Sequence, residues 1–379
     1  MPKRRTKHGA ARTRLRGDWD ALICGASFAG LAVARQLAGA RARVLVLDRY
    51  EIGERQTSAC AAPTEWLEAL GLGPSVRQTF GDLVIHTPHT TVRMHLPFTF
   101  STFDYPELCS LLFAQADASF ETAKVKGRTG DVVHTDRGDL SAPLVVDALG
   151  WGRVLATPRD DYQPPDAALS RGLEVHPWGA SDELEIWIDR AYVPAGYGWS
   201  FPARDEVRIG VGSFDPRFHV KEPTVRLVDD LEHDAVRYQG NWIPHRLRPA
   251  CQGGVFFVGD SAGHCLPLTA EGIRTAFYFG IACGGELREV IEGRSDRETA
   301  LRRYASFSAA HRWKFEAMLR AQRIVPRVPP RLLAVALRGM SADAFVRWAF
   351  GHYLEIAPPA FALAHQPPPA RVRSLRAAA

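Results

Sequence analysis

Four residues near the N-terminus have the types and spacing to hold a dinucleotide. Gly25, Ser27 and Gly30 occupy the three places of a G-x-G-x-x-G turn, and Asp48 follows 23 residues after Gly25. In such a unit the turn brings backbone N–H groups to a pyrophosphate at the positive end of a helix. A carboxylate about twenty residues on accepts the hydroxyls of a ribose. Serine in the middle place departs from the pattern. Its Cβ takes room that a glycine leaves for the phosphate, and its hydroxyl offers a donor in return. Phe28 and Ala29 complete the turn, and Arg49 stands beside the acid. Alone, so imperfect a turn is a weak signal.

The elements around it strengthen it. The apolar run Ala21-Leu22-Ile23-Cys24 has the length of a buried strand, and Leu31, Val33, Ala34 and Leu37 space as a helix over 30–37. Val44-Leu45-Val46-Leu47 then forms a second strand ending on Asp48. Strand, turn, helix, strand and terminal acid compose a dinucleotide-binding unit. Downstream, Leu144-Val145-Val146 ending in Asp147 predicts a return to the same parallel sheet, and Val255–Val258 predicts another. Between them LEIWID and VRIGVG alternate apolar and polar residues, as an antiparallel sheet with one solvated face does. Beyond about 293 the chain becomes arginine-rich and helical. The expected fold class is α/β with an α+β insertion: a Rossmann-type nucleotide-binding domain, an inserted antiparallel-sheet domain and a helical C-terminal segment. The expected bounds are a disordered basic arm over 1–18 and a discontinuous nucleotide domain over 19–85, 101–163 and 245–292. The inserted domain takes 86–100 and 164–244, the helical region 293–365 and a tail 366–379.

Length and composition set limits. A chain of 379 residues, 46% hydrophobic and 23% charged, is globular and long enough for two or three domains. The net charge of +5 is concentrated at the start, where Lys3, Arg4, Arg5, Lys7, Arg12, Arg14 and Arg16 meet no acid through residue 16. No apolar core and cleavage site follow Arg4-Arg5, so an export signal is not expected, and no apolar run is long enough to span a bilayer. The six cysteines show no C-x-x-C spacing and no zinc pattern with histidine. The expectation is a cytoplasmic protein without disulfides or metal.

A resemblance enters at 259–280, GDSAGHCLPLTAEGIRTAFYFG, which looks like the second FAD-binding motif of the flavoproteins that include aromatic hydroxylases and geranylgeranyl reductases. The resemblance implies that Gly259 and Asp260 approach the ribityl hydroxyls. It also implies that Pro267, Thr269, Gly272 and Ile273 lead into a helix N-terminus beside the flavin, where the dipole favours negative charge at N1 and O2. A third stretch, GYGWSFPARDEVRIGVG over 196–212, resembles the YxWxFP-x7-GxG signature of geranylgeranyl reductases, with Tyr197, Trp199, Phe201, Pro202, Gly210 and Gly212 in place. In that family the aromatic part lines a cavity for an isoprenoid chain, which makes Tyr197, Trp199 and Phe201 the candidate substrate wall. Alternation alone favours ordinary sheet core, and the complete motif reverses that. Cys60 resembles a cysteine that many of these reductases keep near the flavin. Two departures stand out. DALGWGRVLA offers Leu149, Arg153 and Ala156 where hydroxylases carry an acid, a serine and an arginine, and Tyr105-Pro106 stands where relatives place a phosphate-binding arginine. Arg35 or Arg49 is the expected substitute cation. The resemblance covers roughly 19–290.

The resemblance therefore implies an FAD-dependent reductase that saturates C=C bonds of an isoprenoid-like substrate. Its electrons come from NAD(P)H or from a ferredoxin-type electron-donor protein. The expected partner is a hydrophobic small molecule or lipid, with no nucleic acid, and the basic segments offer peripheral contact with the inner face of a membrane. Tyr197, Cys60 and His264 are the candidate catalytic acids by residue type. Two rivals use the same scaffold: a flavin monooxygenase or halogenase acting on a small aromatic or natural-product substrate, and an isoprenoid-binding flavoprotein without turnover.

Overall fold

The computed structural model describes residues 13–56, 58–157 and 169–368. β1 (Ala21–Cys24) enters α1 (Phe28–Gln36) and the chain returns as β2 (Val44–Asp48). β3 (Ala61–Pro63), α2 (Thr64–Ala69) and the long strands β4 (Val76–Thr87) and β5 (Thr90–Phe103) follow. α3 (Tyr105–Ala114) leads to β6 (Ser119–Thr122), then to β7 (Val125–Thr129), β8 (Val132–Thr135), β9 (Gly138–Ser141) and β10 (Leu144–Asp147). Next come β11 (Leu169–Val175), β12 (Glu185–Trp187), β13 (Gly196–Pro202), β14 (Val207–Ser213), α4 (Lys221–Asp230) and β15 (Gln239–Pro244). β16 (Cys251–Gln252) and β17 (Val255–Phe257) precede the long α5 (Ile273–Ile291). The rest is helical: α6 (Arg297–Ala310), α7 (Arg312–Ile324), α8 (Pro330–Met340), α9 (Asp343–Leu354) and α10 (Ala360–Ala364).

Two large sheets divide the work. The first runs β16-β17-β10-β1-β2-β6, parallel except for β16. β1 and β10 are buried throughout, as expected of strands covered on both faces. α1 and α5 pack together on it through glycines. A Cβ at Gly280 would lie 2.8 Å from the Ala29 carbonyl oxygen, and one at Gly284 2.5 Å from Gln36 Cβ. The second sheet runs β15-β11-β14-β13-β12-β4-β5-β3 and is antiparallel except where β12 meets β4. β7, β8 and β9 form a separate small sheet.

The architecture follows the expected one, and two details differ. The boundaries at 85/86 and 100/101 fall inside β4 and β5, which run unbroken through the large antiparallel sheet. The alternation that marks these strands begins before Leu83, but the bulges between Val76 and Gln78 and between Phe80 and Asp82 break its period. The basic arm is anchored before residue 18: Leu15 is buried, and its N–H donates to the Arg137 carbonyl at 2.9 Å. Residues 1–12 lie outside the described part, as do 158–168 and 369–379. Among the described residues no helix is long and apolar enough to cross a membrane.

Candidate functional site

The N-terminal turn has the shape of an anion cradle. Gly25 has φ +116°, and a Cβ there would stand 2.2 Å from the Ala148 carbonyl oxygen, so only glycine closes this turn. Ser27 is the N-cap of α1 and makes no side-chain capping bond. The Leu31 N–H is the first to find an acceptor, on Ser27 O, which leaves the donors of Phe28, Ala29 and Gly30 at the helix start for an anion. The Ser27 hydroxyl, expected to donate to the phosphate, accepts from the Tyr105 hydroxyl at 3.1 Å, which leaves its own proton for an anion. Tyr105 thus reaches the turn from the place where an arginine was expected. The Phe28 ring packs edge-on against Phe103, Tyr105 and Phe277.

Asp48 closes the unit. Its Oδ2 accepts from the Ala26 N–H at 2.8 Å and its Oδ1 from the Tyr50 N–H at 3.1 Å. Burial raises its pKa and these backbone donors oppose the rise. Of the two substitute cations, Arg35 is unsuitable. It lies in the last turn of α1, is buried, and holds Gln115 and Gln366. Arg49 is exposed, with its guanidinium 4.9 Å from the Tyr50 ring centroid.

The second motif lies where β17 ends. The Ser261 hydroxyl donates to Asp147 at 2.7 Å, tying the ends of β17 and β10 together, and Arg153 donates to the Ser261 carbonyl at 2.8 Å. Arg153 is therefore a buried brace, which accounts for its presence in DALGWGR. Gly259 has φ +60° and stands against Ala29 of α1. The Asp260 carboxylate has no hydrogen-bond partner among the described residues. Burial raises its pKa to about 6, opposed by Arg248. A partly buried acid with unused acceptors suits polyol hydroxyls. The loop after Pro267 is strained: Leu268 at φ +68° and Ala270 at +51° are left-handed without being glycine. Gly272 caps α5 without a side-chain capping bond, so the Ile273 end of the helix presents free donors toward this loop. Two unfilled helix N-termini, an acid at each strand end and a partnerless carboxylate fit FAD.

The aromatic strand faces this loop. Tyr197, Trp199 and Phe201 of β13 are half-buried on one face, while Gly198, Ser200 and Pro202 are buried on the other. Trp199, Gly210, Glu174 and Gln239 form one row across β13, β14, β11 and β15. A Cβ at Gly210 would lie 2.3 Å from the indole, so this glycine lets Trp199 lie flat across the sheet and donate from Nε1 to Glu174 Oε2 at 3.0 Å. Gly172 and Gly212 border the same ring. The Tyr197 hydroxyl donates to the Thr269 carbonyl at 2.7 Å, joining the aromatic wall to the strained loop. Burial pushes its phenol well above the ordinary range.

Cys60 reaches the same face through its backbone. Arg208, paired with Phe201 across the sheet, donates to the Ala59 carbonyl at 2.8 Å and the Cys60 carbonyl at 3.2 Å. Cys60 itself is left-handed, at φ +54°, and burial pushes its thiol up. His264 is not brought to this face. It is fully buried, stacked 3.7 Å from Phe279, with Nε2 3.0 Å from Ser308 Oγ. Burial holds its pKa well below the ordinary value, so it stays neutral in the core. No hydrogen bond joins any two of Cys60, Tyr197 and His264.

Several residues of the site carry no motif. Glu174 accepts from Trp199, from His176 at 2.9 Å and from Gln239, and Arg208 pairs with Glu206 at 2.9 Å. Burial works against the Glu174 carboxylate, yet His176, with Gln239 and Arg208 behind it, holds its pKa below the usual value. An acid among the apolar residues of LEV was the only sign of this network in the sequence. Tyr353 of α9 donates to Glu271, and its hydroxyl lies 3.0 Å from Thr269 Oγ1. Glu271 is in turn clasped by Arg274 through two 2.7 Å bonds.

The fold is one that FAD-dependent enzymes share. No family model matches the chain. It is 23% identical over 330 residues to digeranylgeranylglycerophospholipid reductase 3 of Methanosphaera stadtmanae, an alignment spanning 77% of this chain and 83% of that protein. A geranylgeranyl bacteriochlorophyll reductase-like protein of Thermoplasma acidophilum superposes with TM-score 0.77 at 16% identity, covering 91% of this chain and 97% of the other. A probable FAD-dependent monooxygenase of Pseudomonas aeruginosa shares the fold with TM-score 0.61 at 18% identity, over 87% and 99% of the two chains. In sequence the chain is thus similar to a prenyl-lipid reductase over most of its length, and in fold to both a reductase-like protein and a flavin monooxygenase.

Proposed function

We propose that this protein reduces carbon–carbon double bonds of an isoprenoid-like substrate. The observation that carries the reading is the aromatic face of β13, laid flat by Gly210 and tied to the Pro267–Gly272 loop through Tyr197. A wall of Tyr197, Trp199 and Phe201 offers an unsaturated chain a broad apolar contact with few polar groups. The similarity to a digeranylgeranylglycerophospholipid reductase supports the same substrate class.

The chain's residues would divide the work as follows. The first-turn donors of α1 hold the pyrophosphate of FAD, Asp48 its adenosine ribose and Asp260 its ribityl hydroxyls. Bound and reduced by an external donor of the NAD(P)H or ferredoxin type, FAD supplies a hydride equivalent for one alkene carbon. Trp199 and Phe201 hold the substrate chain against this region and exclude water. Tyr197 supplies the proton to the other carbon. Its raised pKa keeps it protonated at neutral pH, which suits an acid acting only on a strongly basic, carbanion-like centre. Arg208 holds the Cys60 loop in place.

Product mass tests the reading. Dithionite-reduced holoenzyme incubated without oxygen with a geranylgeranyl lipid should return product heavier by two hydrogens per bond. Unchanged lipid under air-free conditions, with an oxygenated aromatic product in air, would assign the protein to the monooxygenases.

A further inference from the structure

The C-terminal helices carry apolar side chains on the side turned away from the protein. α8 packs Leu337, with Leu333 beside it, inward on Ile85, Val92 and Met94 of β4 and β5, buries Ala334 on the same side, and α9 packs Val346 on the same cluster. At 100° per residue, Leu332 and Val335 stand opposite that inner side of α8, and Trp348 opposite Val346 on α9. These three are 61%, 64% and 59% exposed, and Ile324, at the end of α7, is 57% exposed. A helix that is apolar on both faces needs a second apolar neighbour.

The segment that carries these residues is rich in cations. Residues 312–350 hold eight cations, Arg312, Lys314, Arg320, Arg323, Arg327, Arg331, Arg338 and Arg347, against two acids, Glu316 and Asp343. Every one of the arginines is exposed. Among the described residues, none of these eight pairs with a carboxylate. Such a surface would repel a second copy of itself, since an isologous contact sets like charges together. It would repel the basic residues 1–12 for the same reason. An anionic lipid surface supplies both an apolar layer for Leu332, Val335 and Trp348 and phosphates for the arginines.

We infer that the outer face of α8 and α9 docks on an anionic phospholipid bilayer. The inner side of α9 reaches the site, because Tyr353 bonds at the Thr269 loop, and its Phe350 packs edge-on against Phe98 of β5 at 5.8 Å. A lipid substrate would thus leave the bilayer on the side of the Thr269 loop to which Tyr197 is tied, a consequence that rests on the reductase reading. The docking itself does not.

The test uses the full-length holoprotein, without substrate, and vesicles of phosphatidylcholine alone or mixed with phosphatidylglycerol. Co-sedimentation should favour the anionic vesicles at least tenfold and weaken as salt rises. Each basic side chain near an anionic surface is worth about fivefold in partition. Arg327→Gln/Arg331→Gln/Arg347→Gln and Leu332→Ser/Val335→Ser/Trp348→Ser should each lose tenfold or more, with the flavin absorption spectrum retained as the check on folding. Equal binding to both vesicle types, or variants that bind as the wild type does, would overturn the inference. So would a wild-type dimer that the serine variant abolishes without changing vesicle binding, which would give this face to a second copy. The assay involves no turnover, so failure of the reductase reading leaves its result unchanged.

Discussion

Asp260 and Tyr197 concentrate the site's chemistry in single groups. Asp260 is raised from 3.8 to about 6, so the folded apoprotein holds a proton that the unfolded chain releases. Stability from this group is therefore present below about pH 4 and is lost as pH rises from there through about 6. Each pKa unit corresponds to about 1.4 kcal/mol, which bounds the effect at roughly 3 kcal/mol. Apo Asp260→Asn should consequently melt higher than the wild type at pH 7 and equally at pH 4, while binding FAD about tenfold more weakly. Thermal melts at the two pH values and a flavin titration measure both. Tyr197→Phe should keep the flavin spectrum and lower turnover by about a hundredfold, the usual contribution of a positioned acid. Unchanged turnover would move the proton to another group. The strand–turn–helix–strand unit that carries the proposed cofactor residues was legible because strand, turn and acid recur at fixed spacing. His264 was misleading because sequence proximity to Gly259 and Asp260 says nothing of direction: the chain turns at Gly263, φ +66°, and carries the imidazole into the helical core.

Gly210 shows how an element can be built around one side chain. The alternation of β13 was readable, but its purpose was not, because the indole of Trp199 lies over a glycine on the next strand and bonds to an acid on the strand beyond. Only the register brings those three residues into a row. Gly210→Val should expel the indole, cost about 1–3 kcal/mol in a denaturant melt and raise KM more than it lowers kcat. A KM left unchanged would return Trp199 to ordinary sheet packing. The Tyr353–Glu271–Arg274 linkage was likewise invisible, since it joins α9 to the start of α5 across about eighty residues with no shared motif.

Across the whole molecule, the proposed cofactor site draws on the N-termini of α1 and α5, while an antiparallel sheet joins its aromatic strand to the strained loop before α5 through Tyr197. This division was largely legible from the periods of the apolar residues: short continuous runs for the buried parallel sheet, alternation for the other. The C-terminal helices were legible as basic helices, but which side they turn outward depended on their packing against β4 and β5. The central claim concerns what the assembled site does with electrons. Its most direct measurement is the reoxidation of reduced holoenzyme without oxygen, followed at the flavin absorption band after adding a geranylgeranyl lipid. The account predicts reoxidation that depends on lipid concentration and needs no air. A flavin that stays reduced until oxygen is admitted, at every lipid concentration, would contradict it.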